Sequence, residues 1–192
     1  MRYQSTRGGV RDLRFCDAVM MGLAADGGLL VPSSIPDLRS SLPAFSGLDY
    51  PAIAEQVMLP FVDDIPAETL RDLIDRSYST FDSPLVTPLV PVGDFHVLEL
   101  FHGPTLAFKD VALQLLGNLF EYNLRDQDYR LNILGATSGD TGSAAIAGVR
   151  GKDQINIFIM FPDGRTSELQ EHQMTTVPDE NVQCLEIGRA HV

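Results

Sequence analysis

Residues 131–161, LNILGATSGDTGSAAIAGVRGKDQINIFIMF, read as strand, loop, helix, strand. Leu131-Asn132-Ile133-Leu134 is a short apolar run, and the segment from Gly135 to Gly142 is rich in glycine and hydroxyls. Ser143-Ala144-Ala145-Ile146-Ala147 is a helix of small residues, and INIFIMF (155–161) has the continuous apolar character of a strand buried on both faces. Upstream, HVLELF (96–101) reads as another strand. The chain then turns at Gly103-Pro104 and enters a helix near Asp110, with Val111, Ala112, Leu115, Leu116, Leu119 and Phe120 on one face and Gln114, Asn118 and Glu121 opposite. Downstream, residues 167–175 read as a further helix and 182–185 as the start of a strand. Strand and helix in alternation predict an α/β fold with a parallel sheet and right-handed crossovers.

The amino-terminal part has a different rhythm. Phe15, Ala18, Val19 and Leu23 have helical spacing, which Gly22 and then Asp26-Gly27-Gly28 end in a turn before a short strand at Leu29-Leu30-Val31. Asp49 as N-cap and Pro51 in the first turn open a second helix with Tyr50, Ile53, Val57 and Met58 on one side, up to Pro60. Asp64 and Pro66 suit the start of a third, whose inner side is Leu70, Leu73, Ile74 and Ser77. Pro84, Pro88 and Pro91 make 83–93 an extended connector. The expected organisation is a mainly helical region, 1–82, followed by an α/β domain, 83–186.

Composition narrows the function. With 192 residues, 44% of them hydrophobic, the chain is long enough for a real core, and a net charge of −12 without a basic block argues against nucleic acid or an anionic membrane as partner. No apolar run reaches spanning length and the start MRYQSTRGG lacks a signal-peptide core, so a cytoplasmic setting is expected. Cys16 and Cys184 have no metal-like spacing and read as packing residues, and no metal site is expected.

Of fourteen basic side chains only Lys109 and Lys152 are lysines. A lysine in FHGPTLAFKD (101–110), ahead of a helix whose macrodipole disfavours a cation there, suggests a task that arginine cannot perform. A deprotonated amine attacks a carbonyl to form a Schiff base, and Phe108 with the apolar run from Val111 would favour the neutral form. Asp110 reads as a possible N-cap of its helix, and His102 as either a strand-end residue or a participant. Ser138-Gly139-Asp140-Thr141-Gly142 matches neither nucleotide-binding glycine motif. Its hydroxyls, with that of Ser143, and the free amides of the following helix suit a small anion, the alternative being a plain tight turn. Asp140 beside a substrate carboxylate would be repulsive, so it is expected to face a cofactor group or a capping amide. Arg165 in GRTS is either a phosphate ligand or a surface charge, and Gln170 and Gln173 are expected to face solvent or a partner domain.

FHGPTLAFKD followed by ATSGDTG (136–142) resembles threonine synthase, a pyridoxal-phosphate (PLP) enzyme of fold type II. FCDAVMMGLAADGGLLVP (15–32) and FPDGRTSELQEHQMTT (161–176) are similar to further segments of that family, in the family's order. The resemblance implies a fold type II parallel sheet with flanking helices, preceded by the helical region and incomplete at 192 residues. It implies a lyase acting on a carbon–oxygen bond to phosphate, converting O-phospho-L-homoserine and water to L-threonine and phosphate in threonine biosynthesis. Lys109 would carry PLP as a Schiff base and act on protons, and Asp140 would contact the cofactor. Ser138, Gly139, Thr141, Gly142 and Arg165 would bind substrate. Groups for the cofactor's phosphate and ring nitrogen would come from elsewhere, so these 192 residues alone are expected to be inactive. Another fold type II enzyme, such as an amino-acid dehydratase, or a non-catalytic relative is the alternative. The last six residues, IGRAHV (187–192), coincide with the translation of a common sequencing adapter and are expected to be a non-native tail.

Overall fold

The computed structural model describes residues 1–188; residues 189–192, the greater part of the expected tail, lie outside the described residues. The chain divides into two compact units, Met1–Arg76 and the residues from Ser77 onward.

In the first unit, β1 (Tyr3–Ser5) pairs antiparallel with β2 (Leu30–Pro32), and α1 (Phe15–Met21), α2 (Tyr50–Met58) and the start of α3 (Ala67–Tyr78) follow the spacing of their apolar residues. Strand β1, which carries no strong sequence signal, is ordered through the turn at Asp26. That carboxylate accepts from Ser5 Oγ at 2.7 Å, Gly9 N at 2.7 Å and Gly28 N at 2.9 Å. A Cβ on Gly28 would stand 2.1 Å from Ser5 Oγ, which explains the glycine there. Asp49 caps α2 through Ala52 N at 2.9 Å, as its sequence position predicts. Leu70, Leu73 and Ile74 are almost fully buried, as the periodicity of α3 requires. Two expectations differ. Asp64 accepts the amide of Cys16 at 3.0 Å, at the start of α1, and α2 leaves its apolar side only half-buried.

In the second unit, α4 (Asp110–Leu124), α5 (Asp140–Val149) and α6 (Glu168–Thr175) accompany a three-stranded parallel sheet in the order β5 (Leu131–Ala136), β6 (Ile155–Pro162), β7 (Val182–Ile187). Ile155, Ile157, Ile159 and Phe161 of β6 point into the core, while Asn156, Phe158 and Met160 are only partly covered. The run expected to be buried on both faces is thus fully buried on one. Asn156 is tied to Asn132 of β5 at 2.9 Å on the open face, and Leu134 is 69% exposed there.

The strand expected at 96–101 is not part of this sheet. It forms β4 (Phe95–Leu98), paired antiparallel with β3 (Leu89–Val92) across a turn in which Gly93 has φ +60°. Pro91 is tolerated because each strand of this two-stranded ribbon has a free edge. The sheet of three parallel strands with flanking helices is the α/β architecture that the alternation of elements predicts.

Candidate active site

Lys109 is the last residue before α4, with helical backbone angles (φ −66°, ψ −21°). Its Nζ lies 4.4 Å from the centroid of the Phe108 ring. The two lysines differ in their surroundings. Lys152 Nζ donates to Glu121 Oε2 and Asn118 Oδ1, both at 2.9 Å, whereas Lys109 has no carboxylate within ion-pair distance among the described residues. Lys109 borders an open groove of about 510 Å³ lined by Leu100, Phe108, Val111, Ala112, Leu113 and Thr141. An amine and one hydroxyl are the polar side chains of an otherwise apolar lining.

Thr141 comes from the glycine-rich segment, so the structure brings two of the sequence-predicted residues to one groove. That segment is shorter as a loop than expected. Helix α5 begins at Asp140, because the amides of Gly142 and Ser143 already bond to Gly139 O at 2.9 and 3.2 Å. Asp140, Thr141 and Gly142 are therefore the first helical turn, and Thr137, Ser138 and Gly139 the loop. Among the described residues the amides of Ser138, Asp140 and Thr141 make no backbone hydrogen bond, as expected at a helix start. Ser138 and Thr141 are exposed beside them.

Other candidates are placed differently. Gly142 is buried, and a Cβ there would stand 2.5 Å from Thr137 Cγ2 and 2.7 Å from Met174 Sδ. Ser143 is buried with no partner for its hydroxyl among the described residues. It lines a separate pocket of about 300 Å³ with Thr80, Thr105, Gln114 and Gln173. Arg165 is exposed in the turn after β6 and does not line the groove of Lys109. Because β5 and β6 run parallel, that turn and the loop before Asp140 leave the same end of the sheet, where ligands of open α/β sheets bind.

Two glutamines expected to face solvent or a partner domain instead bond within this chain. Gln170 donates to Asp140 Oδ1 and lies against Gly139, where a Cβ would stand 2.4 Å from its amide carbon. Gln173 Nε2 donates to Thr105 O at 3.2 Å. Asp110 is not a side-chain cap of α4. Its carboxylate, with no exposed surface, turns back to Thr105, accepting from the amide at 2.8 Å and from Oγ1 at 2.9 Å. His102 is held between Asp82 Oδ1 at 2.7 Å and Glu99 Oε2 at 2.8 Å and stacks on Phe101. The Glu99 hydrogen bond, followed by that of Asp82, raises the imidazole pKa above its ordinary 6.5. Burial pushes the Cys184 thiol up, in keeping with a packing role.

Residues 2–78 match the family described as Threonine synthase N terminus. The chain is 52% identical to threonine synthase of Schizosaccharomyces pombe, over 97% of this chain and 38% of the relative. It is 47% identical to that of Pseudomonas aeruginosa, over 97% and 40% respectively. A crystal structure of PLP-bound threonine synthase from Brucella melitensis superimposes with a TM-score of 0.92 at 46% identity, over 97% of this chain and 41% of that one. The yeast threonine synthase structure gives 0.91 at 48% identity, over 98% and 41%. The chain thus spans about two fifths of the length of the relatives it matches. Over its 192 residues the chain is thus similar, in sequence and in fold, to about two fifths of the threonine synthases, with residues 2–78 matching their amino-terminal family.

Proposed function

We propose that the protein carrying these residues converts O-phospho-L-homoserine and water to L-threonine and phosphate in the cytoplasm, with PLP attached through Lys109. The observation that carries this reading is the contrast between the two lysines: Lys152 is committed to Glu121, while Lys109 has no carboxylate partner among the described residues and shares an apolar groove with Thr141. An amine without a counterion, in a groove of that size, suits condensation with an aldehyde. PLP, when bound, supplies an electron sink for charge developing on the substrate carbon.

The chain's own residues would then divide the work. Lys109 anchors the cofactor and, once released, takes and returns protons at the substrate's Cα. Ser138 and Thr141, with the free amides at the start of α5, hold the substrate carboxylate, and Gly139, at φ +154°, turns the backbone between them. Gly142 packs the turn that presents these donors. Asp140, fixed by Gln170, orients a polar group of the cofactor. Arg165 meets the substrate's phosphate. Leu100, Phe108 and Leu113 give the groove its apolar wall. The domain bounds of this reading are 1–82 for the helical region and 83–186 for the part bearing the lysine.

The test is borohydride reduction of the full-length product of this gene with PLP, followed by peptide mapping and assay of phosphate release. A pyridoxyl group on Lys109 with phosphate released from O-phospho-L-homoserine is expected. The group on Lys152 or nowhere ends the reading, and a deaminated product without phosphate specificity favours an amino-acid dehydratase.

A further inference from the structure

Next to the lysine sits a carboxylate for which the proposed chemistry has no use. Asp110 is completely buried, and no lysine, arginine or histidine pairs with it among the described residues. A buried charge without a counterion is retained only where hydrogen bonds satisfy it. Every group that reaches this one is a donor: Thr105 N at 2.8 Å, Thr105 Oγ1 at 2.9 Å and Gln114 Nε2 at 3.1 Å.

These bonds shape the loop that carries Lys109. A Cβ on Gly103 would stand 2.4 Å from Asp110 Cβ, so the loop closes directly onto the aspartate. Leu106 has φ +62°, an unfavourable conformation for a branched side chain, and is 61% exposed, so burial of its own side chain does not hold it there. Its own amide donates to Gly103 O at 3.1 Å, and this turn is flanked by the bonds of Thr105 to Asp110 on one side and the start of α4 on the other. The same network reaches the partner motif. Gln114 Nε2 also lies 3.3 Å from Ala144 O of α5, three residues after Thr141, and Gln173 of α6 donates to Thr105 O.

We propose that Asp110 is a positioning residue. Through Thr105 and Gln114 it sets the loop so that the Lys109 amine faces the groove shared with Thr141. The inference rests on Lys109 being the residue that PLP modifies, and the experiment separates the two. The full-length gene product, freed of cofactor, is labelled in parallel with PLP, which must fit the groove, and with formaldehyde, which need not. Each is trapped by borohydride, and incorporation is read at Lys109 and Lys152 by peptide mass spectrometry.

Asp110→Asn sets an amide NH2 against a donor in either flip, the Thr105 N–H in one and Gln114 Nε2 in the other. It should slow PLP labelling of Lys109 by about tenfold or more, in line with the cost of a small misplacement of a reacting group. Formaldehyde labelling of Lys109, and both labels at Lys152, should stay at the unsubstituted rates. Thr105→Val should lose part of the PLP rate and Thr105→Ser should restore most of that loss. Unchanged PLP labelling of Lys109 in Asp110→Asn overturns the positioning role. Should Asp110→Asn unfold, seen as lost circular dichroism, the valine and serine pair decides: equal rates for the two overturn it. Failure of PLP to label Lys109 in the unsubstituted protein instead removes the functional reading itself.

Discussion

Gly117 of α4 packs against Gly148 of α5 so closely that a Cβ on Gly117 would stand 1.9 Å from the Gly148 carbonyl oxygen. In return, a Cβ on Gly148 would stand 2.5 Å from Leu113 O. The helix that follows the lysine and the helix that presents Thr141 are thus in backbone contact, and the groove between Lys109 and Thr141 depends on that approach. Gly117→Ala must push α4 away from rigid backbone rather than from a side chain that can turn. It should cost on the order of 1–3 kcal/mol or more, measured by urea unfolding.

Lys109 makes no ion pair among the described residues, so Lys109→Arg and Lys109→Ala should both leave stability within about 0.5 kcal/mol of the unsubstituted protein. Both should abolish phosphate release equally, because guanidinium forms no imine. Activity surviving in the arginine variant would show that charge alone is what position 109 supplies.

Lys152 is expected to behave in the opposite way. It is mostly buried and bonds to Glu121 and to Asn118, whose Nδ2 in turn donates to Ser77 Oγ at 2.8 Å. Lys152→Met should cost about 1–3 kcal/mol by thermal or urea unfolding, since Asn118 and Glu121 lose a buried charged donor.

Ser138→Ala and Thr141→Ala should weaken substrate binding more than PLP binding. Each lost bond to a carboxylate is worth about 1.5–3 kcal/mol, or about one to two decades in affinity. Loss of cofactor with substrate affinity intact would reverse the assignment of the α5 start.

His102 gives a pH signature. Its folded pKa is raised above 6.5, so the contribution of the Glu99 and Asp82 contacts is complete below pH 6.5 and fades as pH rises through the raised midpoint. The imidazole proton resonance should titrate above 6.5, with the melting temperature falling across the same interval. Glu99→Gln should lower that midpoint more than Asp82→Asn, as the Glu99 bond is the larger cause.

Local chemistry made much of this protein readable from its sequence. Apolar residues at helical spacing place α1, α3 and α4, Asp49 marks the start of α2, and the alternation of elements predicts β5, β6 and β7 as a parallel sheet. Lys109 and Thr141 stand in motifs short enough to be seen without a fold. Strand β4 was legible as a strand but not as a hairpin, because an apolar run carries no mark of its pairing partner, and the Gly93-Asp94 turn was the available signal.

What only the tertiary structure decided is which polar groups meet. Gln170 reaches Asp140 across 30 residues and Gln173 reaches Thr105 across 68, and nothing in a local window distinguishes such a glutamine from a solvated one. Asp110 could equally have capped its helix. Its carboxylate turns inward because folding strips it of water, and the nearest donors that can replace that water are Thr105 and Gln114.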